Sequence, residues 1–361
     1  MRIVVVHHAL DAGGSARAAI ELANHLSERG HAVWLPALAR TGDWHYPVDG
    51  RVHVTELTHN PPLAPAWRVF VQALPGLRRV LRDAGPDVLI SIGALPNFAA
   101  LAVNAGRRTK LVLSERADPR VMSGRRFSFL RNLVYRVRRA DGFVVLTQDA
   151  ARVVGEWMDR ASVHVIPNPA PVVDTLRPRG GSGERMLLAM GRLVPQKGFD
   201  VLLDAWALVA PQFPSWRLTI VGEGADRADL ETRTRRLGIE ASVDMPGFDP
   251  QPFAVMARAE VFVLSSRYEG FGQVLLQAMT CAVPVISTDC PSGPAEIMRD
   301  GVDGVLVPVG DASALAGAMT RLMSDAGLRD RMGASARERS EAFAPERVWA
   351  MWDEVIAAVA G

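Results

Sequence analysis

The 361-residue sequence predicts an α/β protein built from two doubly wound, Rossmann-like domains in tandem. Three observations carry this prediction. The chain is too long for one ordinary core. Short, almost purely apolar runs alternate with segments of helical spacing, the pattern of a parallel sheet covered on both faces. The alternation also halts at a proline-rich stretch and then restarts. Residues 3–7 read as a buried strand, 11–15 as a glycine turn and 16–29 as a helix that Gly30 ends before the next strand at 31–35. Further strands are expected at 88–92, 110–113 and 143–146. Ile166-Pro167-Asn168-Pro169-Ala170-Pro171 and the polar stretch 177–185 then interrupt, which sets the expected boundary between domains 1–168 and 169–345. Strands resume at 186–190, 217–221, 242–245, 261–264, 283–287 and 305–307. Ligands bind such sheets at the carboxyl ends of the strands, so a cleft between the two domains is the expected site.

Composition narrows the class. The formal charge is only +2, but residues 1–170 hold 22 basic against 14 acidic side chains, and residues 171–361 hold 19 against 25. A basic first half (+8) joined to an acidic second half (−6) points to a different partner for each. Cys281 and Cys290 are too few for a disulfide scaffold and lack metal spacing. The start of the chain is too brief for a signal peptide, and no apolar run approaches a membrane span. The expected location is therefore the cytoplasm, with any membrane contact peripheral. Nucleic acid is not an expected partner. Lys110 and Lys197 are the only lysines among 41 basic residues, which makes each worth attention.

Three loops in the second half follow predicted strands. Gly191-Arg192-Leu193-Val194-Pro195-Gln196-Lys197-Gly198 sets two cations five residues apart on a glycine-flanked loop at a helix start, an arrangement suited to a diphosphate. A solvated loop with two surface cations is the alternative. Ser265-Ser266-Arg267-Tyr268-Glu269-Gly270-Phe271-Gly272 enters a helix, and its glycines admit a ligand close to the backbone. Glu269 there is placed to accept from sugar hydroxyls, or else simply caps a strand-to-helix turn. Thr288-Asp289-Cys290-Pro291-Ser292-Gly293-Pro294-Ala295-Glu296 is a third, turn-rich strand exit.

The segments GRLVPQKGFDVLLDAW, LTIVGEG, VDMPGF and SSRYEGFGQVLLQAMTCAVPVISTDCPSGPAEI, in that order, resemble the donor domain of glycosyltransferase family 4. GGSARAAIELANHLSERGHAV, VLTQDA and VIPNP resemble the same family over the first half. The resemblance implies a retaining enzyme of GT-B fold whose closing helix, about 346–361 with Trp349 and Trp352, returns to the N-terminal domain. It implies an acceptor-binding domain first and a nucleotide-sugar-binding domain second. Arg192 and Lys197 then bind the donor diphosphate, and Glu269 contacts the transferred sugar. Gly13, Gly14, Gly191, Gly247, Phe248, Gly270, Phe271 and Gly272 line the donor. The family's second motif glutamate, which clamps the ribose, is replaced here by Gln277. A neutral amide at that position is the one departure from the pattern. The resemblance further implies retention by a front-face mechanism that needs no protein nucleophile. His7, His8, Glu115 and Arg116, at the ends of two strands, are the acceptor-side candidates.

No Asp-x-Asp pair occurs, so no metal or other cofactor is expected. DCPSGPAEI resembles enzymes of bacterial surface polysaccharides, implying a UDP-hexose or UDP-N-acetylhexosamine donor and a polyprenyl-diphosphate-linked glycan acceptor. Residues 125–140 place Phe127, Leu130, Val134 and Val137 on one helical stripe flanked by arginines, a helix that either docks on anionic lipid or packs on its own domain. A nicotinamide dehydrogenase is disfavoured because neither glycine loop satisfies G-x-G-x-x-G. An epimerase of the same architecture, or a non-catalytic nucleotide-sugar-binding protein, remains as the alternative.

Overall fold

The structure, a computed structural model, describes residues 1–10, 13–40, 46–60, 64–106, 109–120, 134–135, 140–159, 162–173 and 185–361. The segment 125–140 therefore lies outside the described residues except for Val134, Tyr135 and Ala140. The chain divides into two compact units, Met1–Asn168 with Glu346–Gly361, and Pro169–Pro345.

The first unit contains β1 (Arg2–His7), α1 (Gly14–Glu28), β2 (Ala32–Ala37), β3 (His53–Glu56), α2 (Ala66–Ala84), β4 (Val88–Ile92), α3 (Ala94–Val103), β5 (Lys110–Ser114), β6 (Gly142–Val145), α4 (Gln148–Val154) and β7 (Val163–Val165). Its strands form one parallel sheet in the order β3-β2-β1-β4-β5-β6-β7. The second unit contains β8 (Arg185–Met190), α5 (Phe199–Val209), β9 (Trp216–Val221), α6 (Arg227–Leu237), β10 (Val243–Gly247), α7 (Pro252–Met256), β11 (Val261–Leu264), α8 (Gln273–Thr280), β12 (Val285–Thr288), α9 (Pro294–Ile297), β13 (Gly304–Val307), α10 (Ala312–Ser324) and α11 (Ala326–Ser340). Its sheet is also parallel, ordered β10-β9-β8-β11-β12-β13. In both sheets the strand order reverses beside the first strand, between β1 and β4 and between β8 and β11. The loops leaving those strands diverge there and open a crevice at the carboxyl edge.

Strand β1 shows why its run is apolar throughout. Ile3 and Val5 face one layer, packed with Ile20 and Leu26 of α1, while Val4 and Val6 face the other, with Leu77 and Leu81 of α2. Successive side chains of a strand alternate between faces, so a strand covered on both has no polar position to spare. Edge strands β3 and β7 escape the apolar-run criterion for the complementary reason. HVTE is only half-buried and VHV is three residues long, so neither carries a continuous buried run.

A closing helix, α12 (Pro345–Ala360), lies in the first unit's core, where Val348, Trp352 and Ile356 join Ile3 and Val5. Trp352 is 1% exposed, while Trp349 stacks on His25 with ring centroids 5.5 Å apart. His25 Nε2 also meets Asp353 at 3.1 Å, so the helix is held by packing and by a polar rim. Trp352→Ala should cost about 3–5 kcal/mol, the usual penalty for emptying a buried indole site. Urea unfolding followed by circular dichroism checks this, and a loss below about 1 kcal/mol would show that the helix is not integral to that core.

Candidate active site

The carboxyl edge of the second sheet gathers the three loops. The first leaves β8 at Gly191, makes a 3₁₀ turn over Pro195–Lys197 and reaches α5 through Gly198. Gly198 has φ of +63°, and a Cβ there would sit 2.1 Å from the Ser265 carbonyl oxygen. No side chain fits, so the first and second loops touch backbone to backbone. The second and third loops meet in the same way: a Cβ on Gly293 would lie 2.1 Å from the Phe271 oxygen.

Hydrogen bonds fasten these contacts. Arg267 N donates to Gln196 O at 2.8 Å, Gln196 Nε2 to Tyr268 O at 2.9 Å and Ser265 Oγ to Lys197 O at 2.8 Å. Arg267 also grips Asp200, in the first turn of α5, at 2.9 and 2.7 Å. The guanidinium hydrogen bond holds the Asp200 carboxyl below its usual range. The chain thus neutralises its own anion at that helix start.

Lys197 and Glu269 form the centre of the site. Nζ donates to Oε1 at 2.6 Å, and the side chains are only 13% and 9% exposed. Ser266 Oγ donates to the same Oε1, also at 2.6 Å, and the Ser266 carbonyl oxygen accepts from Thr288 Oγ1 at 2.5 Å. One carboxylate oxygen therefore receives two short hydrogen bonds, which fixes the plane of the carboxyl group. Buried Cys290 is a neighbour whose thiol is pushed up to about 12, first by burial and then by the charge of Glu269. It stays protonated and is no nucleophile at neutral pH.

The other donor-side candidates sit on loops and elements of the same unit. Arg192 is exposed and makes no side-chain hydrogen bond or ion pair among the described residues. Gly270, Phe271 and Gly272 lead into α8, whose first turn has neither a side-chain cap nor an acidic residue, leaving its amides available to an anion. Phe271 is buried edge-on against Phe343, which anchors the loop. Gln277, on α8, is half-buried, and its amide has no hydrogen-bond partner among the described residues. Gly247 ends β10 with φ of +97°, followed by Phe248, 58% exposed.

The remaining residues lie in the first unit. Gly13 caps α1 without a side chain, and Gly14 is that helix's first residue. His7 is buried at the end of β1 with Nδ1 2.7 Å from Ala9 O, and His8 is half-buried beside it. Glu115 is buried beyond β5, 3.4 Å from the Tyr135 hydroxyl, while Arg116 Nη1 donates to Asn168 Oδ1 at 2.8 Å. Sequence reasoning missed Ser266 and Tyr135 as supports of the candidate carboxylates Glu269 and Glu115, and Thr288 as the support of the Ser266 carbonyl. Ser266 left a trace, three residues before Glu269 in the same loop, but hydroxyl-to-carboxylate contacts leave no periodic signal.

Two parallel, doubly wound α/β units with their polar loops at the switch points define the GT-B fold. Solved structures share it: sucrose-phosphate synthase from Thermosynechococcus elongatus at a TM-score of 0.83 (22% identity, 98% of each chain covered), and Anabaena HepE in complex with UDP and glucose at 0.80 (17% identity, 99% of each). Residues 12–172 match the family model for Glycosyltransferase Family 4, and residues 174–339 match that for Glycosyl transferases group 1. The lipopolysaccharide core biosynthesis glycosyltransferase LpsE of Rhizobium meliloti is 30% identical over 346 residues, 94% of this chain and 93% of that protein. An alpha-1,4-N-acetyl-D-galactosaminyltransferase of Campylobacter jejuni, acting on a glycan carried on diphospho-undecaprenol, is 28% identical over 99% of both chains. An exopolysaccharide phosphotransferase of Streptomyces coelicolor is 32% identical over 81% of this chain, which spans only 31% of that longer protein. The chain belongs to glycosyltransferase family 4.

Proposed function

We propose that this glycosyltransferase is a retaining enzyme that moves a sugar from a UDP-hexose or UDP-N-acetylhexosamine to a polyprenyl-diphosphate-linked glycan in surface-polysaccharide synthesis. The observation that carries the reading is the pairing of Lys197 with Glu269, with Arg192 unpaired on the same loop. A donor brings both things such a pair can use. Its diphosphate offers Lys197 and Arg192 an anion, and its sugar hydroxyls donate to the Glu269 carboxylate. Gly13 and Gly14, at the start of α1 in the first unit, are further donor-side candidates. Support for the donor and acceptor classes comes from the relatives, one acting on a diphospho-undecaprenol-linked glycan, and from a fold neighbour that holds UDP.

In this reading the bond from the anomeric carbon to the diphosphate oxygen breaks, and the acceptor hydroxyl bonds to the same face. The acceptor proton passes to the departing phosphate oxygen. Catalysis rests on cations and amides that stabilise charge growing on the leaving group. A divalent metal has no part in it, and transfer persists in EDTA. His7, His8, Glu115 and Arg116 serve the acceptor. Peripheral contact with an anionic membrane would bring that acceptor to the site.

Arg192→Ala should lower kcat at least tenfold with the melting temperature unchanged, because the side chain is exposed and holds nothing in the fold. Assays with UDP-sugars and a polyprenyl-diphosphate glycan, with product anomers read by NMR, check this. Undiminished turnover, inverted product, or epimerised donor without transfer would overturn the proposal.

Gln277 supplies a second expectation. Its amide is tied into no network among the described residues, so a carboxylate can replace it there without breaking hydrogen bonds. Bonds from ribose hydroxyls to a charged acceptor are roughly twice as strong as to a neutral one. Gln277→Glu should therefore bind UDP several-fold more tightly in calorimetric titration. Weaker binding would mean that the amide is an adapted contact.

A further inference from the structure

Arg116 is held in a way that its contacts among the described residues do not explain. It follows β5 at the carboxyl edge of the first sheet. Its Nη1 donates to the neutral Asn168 side chain, and its Nε is buried with no hydrogen-bond partner. It forms no ion pair among the described residues. Burial pushes the guanidinium down to about 10, and the charge of nearby Glu115 offsets only part of that. Folding alone gives no reason to desolvate a cation and leave half its donors unmatched, since doing so costs stability.

The unmatched half has a definite shape. Nε and Nη2 lie along one edge of a guanidinium and donate in parallel, so they fit two oxygens of a single anion. Elsewhere this chain uses that edge for carboxylates: Arg299 to Asp303 at 2.8 and 2.7 Å, Arg51 to Asp49 at 2.9 and 2.6 Å, and Arg227 to Glu223 at 2.9 and 2.7 Å. At Arg116 no described residue supplies the oxygens. The same buried edge carries further unmatched polar atoms, Ser91 Oγ at the end of β4, Ser114 Oγ at the end of β5 and Asn97 Oδ1 on α3. It holds more polar capacity than the described residues satisfy.

We infer that the Nε/Nη2 edge of Arg116, with Asn168 orienting it, is a phosphate-binding subsite of the first unit. Its ligand is a phosphoryl group presenting two oxygens. The choice of phosphate over carboxylate, and its assignment to the acceptor's diphosphate, rest on the function proposed above. The two-oxygen geometry does not.

Two titrations of the full chain separate the sources of phosphate. UDP is titrated into wild type and Arg116→Gln, and inorganic pyrophosphate is then titrated into both after saturation with UDP. The expected result is equal UDP affinity, with pyrophosphate at least tenfold weaker in the variant. A tenfold loss of UDP affinity instead would support the same subsite and give it to the donor. Arg116→Gln should melt no lower than wild type, since it removes a poorly solvated charge and keeps a side chain for Asn168. Arg116→Lys, which keeps the charge without the paired donors, should bind pyrophosphate as weakly as the glutamine variant. Unchanged affinity for both ligands in the variants, or a melting temperature lower by several degrees with binding intact, would overturn the inference. Failure of wild type to bind UDP would count against the donor reading alone, because pyrophosphate still reports on Arg116.

Discussion

The buried Lys197–Glu269 ion pair is the interaction on which the candidate site depends. An ion pair taken out of water gains less from attraction than it loses in solvation, unless hydrogen bonds complete the geometry. Ser266 supplies that completion at 2.6 Å, and Thr288 in turn holds the Ser266 carbonyl. The pair also requires that its two loops stand close enough to share a carboxylate. That closeness exists only because Gly198 lacks the Cβ that would strike Ser265. Charge, hydroxyl and glycine form one dependency, and losing any of them loosens the others. What results is a lysine and a glutamate already placed before a ligand arrives, with little left to organise.

The fold explains where this arrangement sits. In a doubly wound parallel sheet the connections leave in opposite directions at one point, and only there do loops diverge from neighbouring carboxyl ends. The second sheet puts Arg192 and Lys197 after β8 and Glu269 after β11, the two strands flanking its switch point. The first sheet puts His7 at the end of β1 and His8 just after it, while Glu115 and Arg116 follow β5, one strand beyond β4. Their chemistry differs in kind. The second unit pairs its largely shielded Lys197 internally, whereas in the first the Arg116 edge is unmatched among the described residues. A paired cation is stable alone and exchanges partners on binding, while an unmatched one gains its partner from the ligand.

Much of this was legible in the sequence, for reasons that can be stated. Strands covered on both faces, such as β1 and β4, read as near-continuous apolar runs, broken in β4 only by Ser91. The polar edge strands β3 and β7 did not register because their positions are only partly buried. The loops holding Arg192, Lys197 and Glu269 were visible because cations and glycines following a strand are chemically unusual. Contacts that depend on three-dimensional proximity were not. Nothing in the one-dimensional order ties Asn168 to Arg116, 52 residues earlier, or Arg267 to Asp200, 67 residues earlier. Gln277 stood out as a break in a family pattern, but only the structure shows that its amide, on α8, has no hydrogen-bond partner among the described residues. Residues 125–140 fall largely outside the described residues; of their amphipathic stripe only Val134 is described, partly buried against the first unit's core.

The central claim is that the three loops of the second unit form a nucleotide-sugar donor site around Lys197 and Glu269. Hydrogen exchange of the full chain with and without UDP tests it most directly, since bound phosphate protects the amides it touches. The account predicts slower exchange in peptides spanning 191–200 and 269–277, with little change at the edge strand β13. Protection confined to other parts of the chain, or none at saturating UDP, would contradict it.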